Sequence, residues 1–216
     1  MRIAYYPGCS TKHFRPEMIT AAMQIFQAAK IDVVNTSTIS CCGYPLKEAG
    51  EEQEADAMAR IVIKALESYD LIVTPCPTCK MVLHEINPEK VKHMSEFLIE
   101  LLQSKLNVKT ENINVNFHDP CHLGRGSRIF EAPRDVIKAL GMSINEATHN
   151  REASMCCGGP ALHMFPDMAA VMADNVLSEM NAPILVTACP TCKSNLSRNE
   201  KHVLDIAEIV AAQLIL

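Results

Sequence analysis

Ten cysteines are the residues of this 216-residue chain best suited to do chemistry, and their spacing is regular. Each half of the sequence has a single cysteine, then a Cys-Cys-Gly triplet, then a Cys-Pro-Thr-Cys motif. The intervening stretches are 31, 33 and 2 residues long in the first half, and 34, 31 and 2 in the second. Because no cysteine is left over, the pattern indicates an internal duplication. The two sets are Cys9, Cys41, Cys42, Cys76 and Cys79, and Cys121, Cys156, Cys157, Cys189 and Cys192.

The arrangement of these thiols favours metal binding or redox reactions over disulfide bonds. Two adjacent cysteines strain the peptide between them when they form a disulfide with each other. The N-terminal segment MRIAYYPGCS does not have the pattern of a secretion signal, which predicts a cytoplasmic protein with reduced thiols. In that compartment clustered cysteines more often bind metal or carry out redox reactions.

Composition argues against two other classes of protein. The formal net charge is −5, whereas a general nucleic-acid-binding protein has a basic surface. No apolar run approaches the roughly 18 residues of a membrane span. The sequence therefore predicts no nucleic-acid partner and no membrane span.

Five thiolates in one set exceed what the commonest metal centres need. Structural zinc takes four ligands, and so do the [2Fe–2S] and cubane [4Fe–4S] clusters. Each of these leaves one cysteine of the doublet unexplained. An opened-out, noncubane cluster uses all five, because adjacent thiolates can reach neighbouring irons. Zinc at one of the two motifs stays an alternative.

The elements that must position the cysteines are strands that alternate with helices. In the first half, strands are predicted at RIAYY, IDVVNTST and YDLIVTP, with helices opening at Pro16 and spanning 51–68 and 95–106. The second half repeats this order, with strands at 113–118, 142–148 and 183–188 and helices at 131–140, 167–180 and about 204–216.

This alternation predicts an α/β fold of two duplicated Rossmann-like halves with parallel strands, related by pseudo-twofold symmetry. We expect the halves to span 1–106 and 113–216, with a linker at 107–112. Ligands of such sheets bind at the carboxyl ends of the strands. Because the cysteines follow strands, the five thiols of each half are predicted to meet at one end of its sheet.

Polar and basic side chains crowd around Cys121 in the segment HDPCHLGRGSR. His118, His122 and Arg125 are candidates for offsetting the charge of a metal centre, binding an anionic substrate or supplying a proton. The alternative, favoured for His118, is that His118 hydrogen-bonds the loop backbone and that Arg125 is solvated.

The last segment, DIAEIVAAQLIL at 205–216, is apolar on more than one stripe of a helix. Two interpretations are open: the helix completes the core, or it presents an apolar face to an electron-donating subunit.

Several motifs of this chain resemble those of a known family. AYYPGCS resembles the start of heterodisulfide reductase B subunits, and HDPCHLGRGSRIFEAPRDVIKAL and CCGGPAL resemble their second half. The repeated cysteine pattern resembles the CCG, or cysteine-rich, domain family over nearly the whole chain. That family also includes iron–sulfur subunits of glycolate oxidase, anaerobic glycerol-3-phosphate dehydrogenase and lactate-utilisation complexes.

The resemblance implies two noncubane [4Fe–4S] clusters, or one cluster with zinc at the other motif. In heterodisulfide reductase the two clusters face each other and split a disulfide between two small thiol cofactors. It therefore implies an oxidoreductase subunit, of anaerobic type, that reduces a small disulfide. Carried over by position, the first cluster is held by Cys9, Cys41, Cys42, Cys76 and Cys79, and the second by Cys121, Cys156, Cys157, Cys189 and Cys192.

The resemblance also implies partners and a rival function. Fused relatives carry ferredoxin-like C-x-x-C-x-x-C-x-x-x-C-P runs that this sequence lacks, so electrons are expected from a ferredoxin-like iron–sulfur subunit and a flavoprotein subunit. The rival is a pure electron-transfer subunit of a flavin-linked dehydrogenase of the glycolate, lactate or glycerol-3-phosphate type. A solvent-reachable cavity between the cluster sites favours disulfide reduction, whereas buried, separated sites favour electron transfer.

Overall fold

Short apolar runs form the central strands of each half, as expected for parallel strands that are covered on both faces. The computed structural model describes residues 1–198 and 202–215. Within them, the strand Leu71–Thr74 is buried along its whole length, and Ile184–Thr187 nearly so.

The first half alternates strands and helices, and several of its helices are short. Its elements in order are β1 (Ile3–Tyr5), α1 (Gly8–Phe14), α2 (Pro16–Ala28), β2 (Val33–Asn35), α3 (Tyr44–Glu48), α4 (Glu52–Leu66), β3 (Leu71–Thr74), α5 (Pro77–Leu83), a 3-10 turn (Pro88–Lys90), β4 (Val91–His93) and α6 (Met94–Ser104).

The second half repeats this plan, with a π-helical turn where the first half has α1. Its elements are β5 (Asn114–His118), the π-helical turn (His122–Gly126), α7 (Glu131–Ala139), β6 (Ser143–Glu146), 3-10 turns (Arg151–Ala153 and Gly159–Ala161), α8 (Pro166–Ser178), β7 (Ile184–Thr187), α9 (Pro190–Leu196), β8 (His202–Asp205) and α10 (Ile206–Ala212).

Each half builds one four-stranded parallel sheet, and the strand order is the same in both. The orders are β2-β1-β3-β4 and β6-β5-β7-β8. The central pairings match as well, with Ile3 opposite Leu71 in one sheet and Val115 opposite Ile184 in the other. The predicted α/β fold of two duplicated halves is therefore confirmed.

The halves pack by exchanging equivalent contacts. Helix α2, the first long helix of one half, packs on α10, the last helix of the other, and α7 packs on α6 in the same way. Likewise α1 contacts α9, and the π-helical turn contacts α5. Such reciprocal contacts are what a twofold relation produces. One continuous core, including Ile25, Phe97, Val136 and Ile209, crosses the interface.

The fourth strand of each sheet was not predicted. Strand β4 reads VKH and β8 reads HVLD, so neither shows an apolar run that marks a strand, and both lie at a sheet edge. Since β8 occupies residues 202–205, the terminal helix is shorter than predicted and spans Ile206–Ala212.

The terminal helix completes the core. Ile206, Ala207, Ile209 and Val210 are all buried, because α2, α6 and α7 cover α10 from several sides. The apolar character of residues 206–210 therefore reflects packing between the halves. Ile215 is exposed and Leu216 lies outside the described residues, so a contact of this segment with an electron-donating subunit stays a prediction.

The segment predicted as a linker, 107–112, is hydrogen-bonded to the second half. The Lys109 amide donates to the Gln213 carbonyl at 2.8 Å, and the Glu111 amide donates to the Leu140 carbonyl at 3.0 Å. The boundaries at 106 and 113 stay a prediction. None of the helices in residues 1–198 and 202–215 combines the length and apolar character needed to cross a bilayer.

Candidate metal centre

The single cysteines and the Cys-Pro-Thr-Cys motifs lie at the starts of helices. Cys9 is the second residue of α1, and Cys76 caps the N-terminus of α5, with Pro77 at its first position. In the second half, Cys121 precedes the π-helical turn and Cys189 caps α9. Helix N-termini carry partial positive charge, which favours thiolates. The Cys-Pro-Thr-Cys motif is therefore a helix start, where proline needs no N–H partner.

The two doublets end in a glycine that the backbone requires. Gly43 has φ +86° and Gly158 has φ +77°, in the left-handed region that favours glycine. A Cβ atom on Gly43 would lie 2.4 Å from the Ala55 carbonyl oxygen of α4. A Cβ atom on Gly158 would lie 2.8 Å from the Met172 Cβ of α8. The glycine therefore lets each doublet turn tightly beneath the next long helix.

Within each half the five thiols form a continuous chain of sulfur contacts. The Sγ atoms of Cys9 and Cys41 are 3.2 Å apart, and those of Cys42 and Cys79 are 3.5 Å apart. Hydrogen bonds between the two thiols of the doublet, and between the two thiols of the Cys-x-x-Cys pair, complete the chain. The thiols of the second half are connected in the same order. The chains run Cys9–Cys41–Cys42–Cys79–Cys76 and Cys121–Cys156–Cys157–Cys192–Cys189. As predicted, each half thus gathers its five cysteines, and all ten are free thiols.

Both sets open onto one cavity between the halves. Its volume is about 330 Å³, and its wall includes α3 from the first half and Pro160, Leu162 and His163 from the second. Phe14, which is 55% exposed, also lines the cavity and connects it to the surface. Eight of the ten cysteines lie in the wall: Cys9, Cys42, Cys76, Cys79, Cys121, Cys157, Cys189 and Cys192.

The thiols of each chain differ in pKa, because each is hydrogen-bonded to its neighbours. Hydrogen bonds from Cys41 and Cys79 lower the pKa of the Cys42 thiol to about 5. Hydrogen bonds from Cys121 and Cys157 lower the pKa of Cys156 to about 2. The hydrogen bond to Cys156, together with burial, raises the pKa of Cys121. Five thiols in contact therefore do not all ionise until positive charge is added among them.

A hydrogen-bonded trio of side chains in the cavity wall joins the two halves. His122 Nε2 lies 3.2 Å from the Tyr44 hydroxyl, and His122 Nδ1 lies 3.1 Å from the Thr78 hydroxyl. The Tyr44 ring also meets the His122 ring edge to face, with centroids 5.2 Å apart. Of the three predicted polar candidates, His122 is the one in the cavity wall.

The other two candidates hold the loop that carries the second doublet. Buried His118 places Nε2 3.2 Å from the Met155 carbonyl, next to Cys156. Arg125 donates to the carbonyls of Glu152 and Ser154, at 3.1 and 2.6 Å. Neither lies among the residues described in the cavity wall. His118 makes the backbone hydrogen bond that its alternative expects, whereas the contacts of Arg125 with carbonyls were not predicted.

Sequence reasoning did not single out a buried ion network behind Cys121. The Arg134 guanidinium is fully buried and donates to both carboxylate oxygens of Asp119 at 2.7 Å. It also donates to Glu146 at the end of β6. This network fixes the end of β5, from which the chain enters Cys121. The arginine falls within a helical segment, where its spacing gives no sign of burial.

Tyr44, Glu48 and Thr78 were also missed as wall residues. Tyr44 directly follows a Cys-Cys-Gly triplet and Thr78 lies inside a Cys-Pro-Thr-Cys motif, so proximity to the motifs is a usable signal for both. Burial, together with the negative charge of Cys156, raises the pKa of Glu48. Tyr44 and Glu48 of the first half thus lie close enough to cysteines of the second to sense their charge.

The donor chemistry fits an iron–sulfur group better than a single ion. Soft thiolates are the ligands of iron–sulfur clusters, and backbone amides that donate to cluster sulfur are a usual feature of such sites. Here the Gly158 and Gly159 amides donate to the Sγ atoms of Cys156 and Cys157, at 3.4 and 3.3 Å. In the described part of the chain, no three His, Cys, Asp or Glu side chains are arranged to hold a single metal ion.

Comparisons with known proteins agree with the duplicated architecture. The chain is 30% identical over 241 residues to a dihydromethanophenazine:CoB–CoM heterodisulfide reductase subunit of Methanosarcina barkeri, covering 98% of this chain and 59% of that protein. It is 26% identical to lactate utilization protein A 2 of Bacillus cereus, covering 99% of each. The chain spans about two fifths of the length of other curated relatives that it matches.

Structural comparison supports the fold alone. A hypothetical protein from Helicobacter pylori superposes with a TM-score of 0.71 at 8% identity, covering 98% of this chain and 48% of that one. The model of the CCG cysteine-rich domain matches twice, over residues 3–84 and 115–197, once in each half. The chain therefore belongs to the CCG family of cysteine-rich domains and contains two copies of the domain.

Proposed function

We propose that this chain is an iron–sulfur subunit of an oxidoreductase complex that reduces a small disulfide. Each five-cysteine set holds one noncubane [4Fe–4S] cluster in this proposal. The observation that carries it is the shared cavity, because eight cysteines drawn from both sets line its wall. A disulfide bound there would have one sulfur near each set.

Reduction of a disulfide to two thiols consumes two electrons and two protons. When bound, the two clusters would supply the electrons, one from each. The chain's own residues supply the path for protons: Tyr44, His122 and Thr78 are hydrogen-bonded in series in the wall. The neutral imidazole can receive a proton at one ring nitrogen and release one from the other, which suits it to relay protons to the product thiolates.

Electrons reach the clusters, in this proposal, from a ferredoxin-like iron–sulfur subunit that is itself reduced by a flavoprotein subunit. The name of the Methanosarcina relative, a heterodisulfide reductase subunit, supports both the reaction and the need for partner subunits.

A second candidate function is electron transfer within a flavin-linked dehydrogenase of the lactate type. The match that favours it is the Bacillus cereus lactate utilization protein, because the two chains cover 99% of each other. In that case the clusters pass electrons on and no disulfide enters the cavity.

A dye-linked assay separates the two functions. Anaerobically purified protein is mixed with reduced methyl viologen, and oxidation of the dye is followed before and after a small disulfide is added. Disulfide reduction predicts that dye oxidation depends on the disulfide and yields two thiols per two electrons. Dye oxidation that occurs only with an added flavoprotein, and never with a disulfide, contradicts the proposal and supports the second candidate.

A further inference from the structure

The loops that carry the two doublets share one stabilising contact. They are residues 36–43, the first loop, and residues 150–158, the second loop. In the second loop, His118 Nε2 lies 3.2 Å from the Met155 carbonyl. In the first loop, the hydroxyl of Tyr6, which has the same place in the repeat as His118, donates to the Ser40 carbonyl at 2.7 Å. Each carbonyl belongs to the residue directly before a doublet, so this contact is common to both halves.

Three further side chains from outside the second loop hold its backbone. Arg125 donates to two of its carbonyls, at 2.6 and 3.1 Å. Asn195 is fully buried and donates to the Cys157 carbonyl, within the doublet itself, at 2.5 Å. The Asp119 carboxylate accepts from the Arg151 amide at 2.9 Å. The second loop is thus fixed at several points along its length.

The first half has no counterpart of these three contacts. The three equivalent positions of the repeat hold His13, Val82 and Pro7. The side chains of valine and proline neither donate nor accept hydrogen bonds. His13 is exposed, and within residues 1–106 it makes no hydrogen bond to the first loop. The first loop is therefore held at its start and by Tyr6, whereas the backbone of its doublet is free of side-chain hydrogen bonds in the described part of the chain.

Resting on the proposed function, we propose that the two cluster sites are unequal and that Asn195 is a positioning residue of the second. The protein holds the second set of cysteines in its ligand-binding arrangement, whereas the first set takes that arrangement only with its cluster. Ligands that are already in place lose less conformational freedom on binding, which raises their affinity. The first cluster is therefore the one that leaves first when iron is removed.

Release of iron to a chelator tests this inequality. Protein purified without oxygen is mixed with an excess of bathophenanthroline disulfonate, and both the released iron and the electron paramagnetic resonance signals are followed. We expect two phases, each with about half of the iron, whose rate constants differ by about tenfold or more, because two or three neutral hydrogen bonds are worth at least that factor. The signal that disappears first should be the one that is absent from Cys42→Ser.

Matched variants assign the slower phase to the contacts of the second loop. Asn195→Val introduces the residue that the first half has at the same place, with nearly the same size and without the hydrogen bonds. It should speed the slow phase by about tenfold and leave the fast phase unchanged. Arg125→Met, at an exposed position, removes two other contacts of the loop and should act in the same direction. Asn175→Val, at an exposed position of α8, is the control and should change neither phase.

Hydrogen exchange separates this inference from the proposed function. Exchange of the backbone amides is measured on the whole chain before and after iron removal. We expect iron removal to speed exchange in the first loop by about tenfold and to leave the second loop nearly unchanged. Purified protein that never holds iron would overturn the proposed function, and slower exchange in its second loop than in its first would still support the inference.

Several results would overturn the inference. These are equal rates of release from the two sites, earlier release of the second cluster, and equal exchange in the two loops after iron removal. Acceleration of both phases to the same extent by Asn195→Val would show that this residue stabilises the whole fold and does not position the second doublet.

Discussion

His122, in the cavity wall, contacts hydroxyl groups of the other half through both ring nitrogens. We expect His122→Asn to lower the rate of disulfide reduction by about 100-fold, the size of a typical general acid–base contribution. The iron content should not change, because the imidazole is not among the thiolate donors. Rates are measured with reduced methyl viologen at saturating disulfide.

His149→Asn is the matched control for this prediction. His149 pairs with Glu179 at the surface, outside the cavity wall. An equal loss of rate in both variants, or a loss of iron in His122→Asn alone, would show that His122 stabilises the site and does not relay protons.

The doublets give a second prediction at the scale of single residues. Because each chain of sulfur contacts stays within one half, Cys42→Ser should disturb the cluster of the first half alone, and Cys157→Ser that of the second. Each variant should retain about half of the iron of the parent protein, and electron paramagnetic resonance should lose one of two signals. Loss of both signals from a protein that remains folded would mean that the halves share ligands.

For single residues, the sequence singles out the cysteines and predicts that each half gathers five of them, but it does not show which polar neighbours meet the cavity. The ten thiols stand out because the pattern is repeated and leaves no cysteine unexplained. His118 and Arg125 were candidates by position, but their contacts are not evident from the sequence, because the carbonyls of Met155, Glu152 and Ser154 that they meet are more than 20 residues away along the chain. Proximity to Cys121 in the sequence therefore does not determine whether a side chain meets the cavity.

The last helix of each half begins at a buried titratable residue, which is a base in the first half and an acid in the second. His93 caps α6 and Asp205 caps α10, each through a capping box. Burial lowers the pKa of His93 to about 3 and raises the pKa of Asp205 to about 7. The unfolded residues titrate near ~6.5 and ~3.9. Because buried His93 resists protonation in the folded state, the free energy of unfolding falls as the pH drops below about 6.5. Because buried Asp205 holds its proton in the folded state, the free energy of unfolding falls as the pH rises from about 4 to 7.

Asp205→Asn tests this linkage. Asparagine also caps helices and does not titrate, so the variant should gain stability relative to the parent as the pH rises from about 4 to 7, with a slope of up to about 1.4 kcal/mol per pH unit. The free energy of unfolding is measured by denaturant titration across that range. Asp135→Asn, at an exposed site on α7, is the control and should show no such trend. A difference between Asp205→Asn and the parent that is independent of pH would contradict the assignment.

Helix α10 buries Ile209 in the core between the halves. Ile209 is 2% exposed in the core that joins the halves, so Ile209→Ala should lower the free energy of unfolding by about 2–5 kcal/mol. Ile215→Ala, at a position that is 54% exposed, should have little effect. If Ile209→Ala instead leaves stability intact and weakens association with another subunit, the helix is a docking surface after all.

The elements that the sequence predicts are those with a clear local pattern. An apolar run such as Leu71–Thr74 or a helical period such as that of α4 is a local signal, and both were confirmed. Strands β4 and β8 are three and four residues long and gain their hydrogen bonds from β3 and β7. Their conformation is therefore set by tertiary pairing, which local composition does not reveal.

Across the whole molecule, duplication has a consequence that neither half shows alone. The repeat predicts two equivalent sets of thiols, one at each sheet end. It does not predict that both sets open onto one cavity, because this depends on the reciprocal packing of α2 on α10 and of α7 on α6. The shared cavity is what distinguishes a pair of clusters that act on one substrate from two independent sites.

If each five-cysteine set holds one cluster, as proposed, the metal content of the protein is fixed. Iron, zinc and acid-labile sulfide are counted per chain on protein purified without oxygen. Two [4Fe–4S] clusters predict about eight iron atoms and about eight sulfides per chain, with no stoichiometric zinc. Four or fewer iron atoms together with one zinc would contradict the claim and leave a single cluster beside a zinc site.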